Sequence, residues 1–124
     1  MRVHFPIASS TTVAPIITVF LSDSWFGDGA DSIETDLHVA ADGEFVCIHD
    51  ATLDRTTNGH GPVAGMTLAQ LKTLSASCGR PDFKDERIPT LAELAALLPA
   101  DIALAIELKT DRFLWPDVVY RLIK

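Results

Sequence analysis

Ile33-Glu34-Thr35-Asp36-Leu37-His38, answered after an Asp42-Gly43 turn by Phe45-Val46-Cys47-Ile48-His49-Asp50, decides how this chain is read. Alternate side chains of a strand point to opposite faces, so Glu34, Asp36 and His38 share one face and Ile33, Thr35 and Leu37 the other. Two carboxylates and an imidazole side by side repel, desolvate at a cost and add nothing to an apolar core. A bound divalent cation reverses that cost, because hard cations take oxygen ligands. A third acidic strand, Ala105-Ile106-Glu107-Leu108-Lys109, puts Glu107 and Lys109 on one face. Three strands with charge on one face point to a single site.

The 124 residues predict one domain, 48% of them hydrophobic, which is enough apolar material for a core. A formal net charge of -7 leaves no basic stripe to replace counterions, so nucleic acid is not the expected partner. It is compatible with a phosphate-bearing small substrate, since a metal supplies positive charge locally. Cys47 and Cys78 form no CxxC pair, and Cys47, inside an apolar strand, reads as a small buried hydrophobe. No apolar run reaches the ~20 residues of a membrane-spanning helix. The stretch from Val13 to Leu21 is a poor secretory signal, interrupted by Pro15, so the cytoplasm is favoured over export.

Residues 1–28 are the least regular, and Ile16 to Leu21 reads as either strand or helix. The first clear strand runs from about Asp31 to Val39 and the second from Phe45 to His49. The short Asp42-Gly43 link allows an antiparallel hairpin or a tight excursion within a larger barrel. Asp54 to Pro62 is a polar surface loop. Thr67-Leu68-Ala69-Gln70 has capping-box spacing and opens a helix with Leu68, Leu71 and Leu74 on one side. Thr90 with Glu93 is a second capping box, and its helix runs to about Leu98 before Pro99. Asp101-Ile102 enters the strand ending at Lys109, and Trp115-Pro116-Asp117 opens a last helix.

Strand and helix alternating after position 67 predict an α/β protein with parallel strands. His49, Glu107 and Lys109 fall at or near strand C-terminal ends, where (β/α)8 TIM-barrel enzymes keep their chemistry. Such a barrel needs at least ~200 residues, so this chain corresponds to roughly its first half. Open strand edges at both ends of a partial sheet invite self-association.

From Gly29 to about Lys109 the sequence resembles the glycerophosphodiester phosphodiesterase family. The likeness rests on Gly29-Ala30-Asp31-Ser32-Ile33-Glu34-Thr35-Asp36-Leu37, Asp42-Gly43, Val46-Cys47-Ile48-His49-Asp50 and Thr52-Leu53-Asp54-Arg55-Thr56-Thr57-Asn58-Gly59. It continues through Ile88-Pro89-Thr90-Leu91 and Ile106-Glu107-Leu108-Lys109, and the order and spacing of these motifs make it specific. The resemblance implies a (β/α)8 barrel that hydrolyses glycerophosphodiesters to glycerol 3-phosphate and an alcohol. It implies a divalent cation, Ca²⁺ or Mg²⁺, held by Glu34, Asp36 and Glu107. It also implies that His49 is one of two acid/base histidines and that Lys109 lies in the phosphate site. These residue types suit the reaction: a cation and Lys109 neutralise an anionic diester, and histidine exchanges protons near neutral pH.

Residues 1–28 diverge from the family pattern: Ile16-Ile17 stand where Glu-Asn belong, and His4 lies three residues early with no Arg after it. A second reading is therefore a catalytically inactive fragment or pseudoenzyme that keeps cation and phosphate binding. The motifs do not separate the family from the sphingomyelinase D-like phospholipases, a related class with the same barrel. Elsewhere the plainer readings are preferred. His38 is a packed residue, Asp50 and Arg55 order the loop, Asn58-Gly59 is only a turn, and His60 is exposed. Trp25 and Trp115 are apolar anchors.

Overall fold

The computed structural model describes residues 32–123 apart from 78, 99, 101 and 102. The readings of residues 1–28, of Trp25 and of Cys78 lie outside the described residues.

Three strands form one sheet in the order β2-β1-β3, with β1 (Ser32–Val39) in the centre. β2 (Phe45–Cys47) runs antiparallel to it and β3 (Ala103–Leu108) parallel. The open question about the Asp42-Gly43 link is thus answered by a hairpin. Its turn needs glycine: Gly43 has φ +87 and donates its N–H to the Ala40 carbonyl at 3.0 Å. A Cβ there would sit 2.7 Å from Arg121 Nη1, which donates to the Gly43 carbonyl.

β2 ends two residues before the alternation predicts. The Ile48 N–H still donates to the Asp36 carbonyl at 3.1 Å, but the chain bends at His49 and Asp50. The outer edge of β2 is partly covered. The Cys47 N–H donates to the Pro89 carbonyl at 2.9 Å, and Val46 bridges to Thr90. Among the described residues β2 and β3 are both edge strands, as expected of a partial sheet.

Both capping boxes form. α1 (Leu68–Leu71) is closed by Thr67 and Gln70, and the Leu68 N–H donates to the Asp42 carboxylate, tying α1 to the hairpin turn. α2 (Leu91–Leu97) is closed by Thr90 and Glu93, and Lys72 reaches across from the end of α1 to Glu93. α3 (Pro116–Ile123) begins on proline with Asp117 in its first turn. None of these helices is long and apolar enough to cross a membrane.

Two apolar clusters flank the hairpin. Leu37, Val39 and Cys47 pack on Leu94, Phe113 and Val118, while Val46, Ile48, Leu53, Leu71 and Ile88 form the other. Cys47 is fully buried, as its place in an apolar strand predicts. Two local readings are corrected. Asn58 is more than a turn residue, because its Oδ1 accepts from the Ser75 N–H at 2.8 Å and its own N–H donates back to the Ser75 carbonyl at 3.1 Å. Trp115 is not a buried anchor: 53% exposed, it carries the Arg112 guanidinium 5.5 Å above its ring.

Candidate active site

The parallel register of β1 and β3 sets Asp36 opposite Glu107 and Glu34 opposite Ala105. Side chains of opposed residues leave a sheet on the same face, so the carboxylates of Asp36 and Glu107 are neighbours by construction. Lys109, just past β3, is tied down by its N–H donating to the Leu37 carbonyl at 3.1 Å. Its Nζ donates to Glu107 Oε1 at 3.1 Å and lies 3.4 Å from Asp36 Oδ1. Asp36 and Lys109 are largely shielded, Glu107 half exposed.

The electrostatics follow from crowding. Burial, then the hydrogen bond with Glu107, pushes the Asp36 carboxyl above its ordinary range, with the Lys109 ammonium pulling the other way. The hydrogen bond to Glu107 and the charge of Asp36 hold Lys109 protonated above its usual range. His38, expected to be packed, is buried, and burial lowers the pKa of its imidazole. Its Nε2 lies 3.2 Å from the His49 carbonyl oxygen, which pins the chain where β2 gives way to the loop.

His49 is more exposed than an inward strand residue would be, at 62% of its side chain. It stands just past β2, whose antiparallel pairing with β1 returns the chain toward the acidic pair. Its Nδ1 lies 2.9 Å from Asp50 Oδ1, and Arg55 grips both oxygens of Asp50, at 2.7 and 2.8 Å. Asp50 and Arg55 order the loop as expected, but they do so against His49. Sequence reasoning missed that link, since neighbouring side chains of a strand diverge and only the bend brings them together.

The structure therefore brings together Asp36, Glu107 and Lys109, while His49, just past β2, has its side chain against Asp50. Glu34 shares the face, two residues back along β1 and half-buried. Among the described residues no three His, Cys, Asp or Glu side chains are gathered into a group that would hold a metal ion. The donor chemistry still fits a hard divalent cation. Asp36, Glu107 and Glu34 offer only oxygen, and burial together with the Glu107 hydrogen bond raises the Asp36 carboxyl even with the Lys109 ammonium beside it.

A profile of the Glycerophosphoryl diester phosphodiesterase family matches residues 22–114. A glycerophosphodiester phosphodiesterase of Caldanaerobacter subterraneus subsp. tengcongensis is 45% identical over 98 residues, covering 77% of this chain and 40% of that protein. The crystal structure of a glycerophosphodiester phosphodiesterase from Agrobacterium tumefaciens superimposes with a TM-score of 0.66 at 39% identity, over 81% of this chain and 44% of that one. An Oleispira antarctica phosphodiesterase, solved with the product sn-glycerol-3-phosphate, gives 0.69 at 32% identity, over 78% of this chain and 40% of that one. The chain thus spans less than half the length of these relatives. The match covers most of the sequence, and the chain belongs to the glycerophosphoryl diester phosphodiesterase family.

Proposed function

We propose that this chain carries the acidic half of a site that hydrolyses glycerophosphodiesters to glycerol 3-phosphate and an alcohol. The observation that carries the reading is the register placing Asp36 beside Glu107 with the Lys109 ammonium against both. Family membership supports it, as does the relative solved with sn-glycerol-3-phosphate. The described fold corresponds to the opening part of a (β/α)8 barrel. That reading is supported by the parallel β1–β3 pair and by the exposed apolar side chains of Leu108, Tyr120 and Ile123, which a following strand and helix would cover.

Glu34, Asp36 and Glu107 would hold a divalent cation, Ca²⁺ or Mg²⁺. Such an ion, when bound, neutralises phosphate oxygens and polarises the phosphorus centre. The remaining work falls to the chain's own groups. Lys109 supplies a fixed positive charge for a non-bridging phosphate oxygen. His49 exchanges a proton with the attacking or leaving oxygen, since an imidazole titrates near neutrality.

The test is release of glycerol 3-phosphate from glycerophosphocholine, with and without chelator. Turnover is expected to depend on added Ca²⁺ or Mg²⁺ and to be lost in Asp36→Ala, Glu107→Ala and Glu34→Ala. Activity that survives chelation and these substitutions would overturn the site. Calorimetric binding of cation without turnover at any pH would leave a binding protein in place of an enzyme.

A further inference from the structure

Resting on the reading of His49 as a proton-transfer group, we infer that Asp50, clamped by Arg55, is a positioning residue that fixes His49 as the Nδ1–H tautomer with Nε2 as its basic nitrogen. An imidazole as exposed as that of His49 is otherwise free to turn and to carry its proton on either nitrogen. Here Nδ1 lies 2.9 Å from Asp50 Oδ1. Arg55 Nε donates to Asp50 Oδ2 at 2.7 Å and Arg55 Nη2 to Oδ1 at 2.8 Å, a bidentate grip that leaves the carboxylate one orientation.

The Arg55 guanidinium, with the His49 imidazole, holds the Asp50 carboxyl well below the usual carboxylate range. Asp50 is therefore an ionised acceptor, and an acceptor opposite Nδ1 requires the proton on Nδ1. The clamp is itself anchored. Arg55 rides a turn closed by the Thr57 N–H donating to the Leu53 carbonyl at 3.0 Å, and Leu53 and Thr56, on either side of it, are 0% and 1% exposed. The backbone of His49 is held separately, by the contact of its carbonyl with His38 Nε2 at 3.2 Å.

The experiment is a long-range ¹H–¹⁵N correlation spectrum of the ¹⁵N-labelled chain at about pH 8.5, above the ordinary imidazole range, without cation or substrate. His49 is expected as almost wholly Nδ1–H in the wild type. It is expected as a mixture of tautomers in Asp50→Asn, with partial recovery in Asp50→Glu and an intermediate ratio in Arg55→Gln. Backbone amide spectra that stay dispersed show that each variant is folded, so a changed tautomer ratio reports the lost clamp and not a lost fold. A wild-type His49 protonated on Nε2 overturns the inference, and needs no variant to do so. So does a tautomer ratio unchanged in a folded Asp50→Asn. Because the tautomer is read without turnover, a correct tautomer in a chain that hydrolyses nothing leaves the clamp standing and removes only the enzymatic reading.

Discussion

Asp36 and Leu37 are adjacent on β1 and face opposite ways, so truncating one and neutralising the other should move stability in opposite directions. Leu37 is 0% exposed within the cluster of Val39, Cys47, Leu94, Phe113 and Val118. Leu37→Ala removes three carbon groups at roughly 0.8 kcal/mol each. With the cavity left behind, the loss comes to about 3 kcal/mol. At about 4–8 °C per kcal/mol for a unit of this size, Tm falls by about 12–24 °C. Asp36 behaves differently because burial and Glu107 raise its carboxyl pKa above 3.8 in the fold. Between 3.8 and that raised value the folded chain binds more protons than the unfolded one, so wild-type stability declines as pH rises through the window. At neutral pH the whole cost is present. Asp36→Asn removes the ionisation and should be more stable than wild type at pH 7. The gain should vanish as pH falls below 3.8, where the wild-type carboxyl is neutral in both states. The assay is urea unfolding of the cation-free chain at several pH values, followed by circular dichroism. An Asp36→Asn variant less stable than wild type at pH 7, or one whose advantage is the same at pH 3.5 as at pH 7, would refute the argument.

Two further outcomes follow from local geometry. Thr90→Ala deletes the cap of α2, whose Oγ1 accepts from the Glu93 N–H at 3.1 Å, and should cost about 1 kcal/mol in urea unfolding at unchanged m-value. Cys47, 0% exposed with burial pushing its thiol up to about 11, should stay unalkylated by iodoacetamide at about pH 8 in the native chain and react on unfolding, as peptide mass mapping would show.

Features set by a few neighbouring residues were legible in the sequence. Thr67 with Gln70 and Thr90 with Glu93 carry both donor and acceptor of their caps within four positions, and both boxes form. The alternation of β1 also assigned its two faces correctly: Leu37 and Val39 are buried in an apolar cluster, and Asp36 meets Lys109 and Glu107 on the other side. Where longer-range contacts decide, the same rules went astray. Alternation carries β2 on to His49, yet the chain bends there and sets Asp50 against Arg55, a contact outside the strand pattern. Trp115 has the size of an anchor, but Phe113, two residues earlier, takes the buried position and stacks on Phe45 with ring centroids 5.7 Å apart.

The site itself depends on a fact no local pattern contains, namely which strand lies next to β1 and in what register. A shift of one residue between β1 and β3 would set Asp36 against Ile106 or Leu108 and turn Glu107 to the opposite face. The register is held from the apolar side, where Leu104 of β3 packs against the cluster that contains Leu37. It is held again at the strand end by the Lys109 N–H on the Leu37 carbonyl. The acidic pair is thus aligned by apolar packing on the opposite face and by a backbone hydrogen bond, not by its own carboxylates. The composition of Glu107-Leu108-Lys109 announced a charged face, while the packing of Leu104 and Leu37 determines that this face meets Asp36.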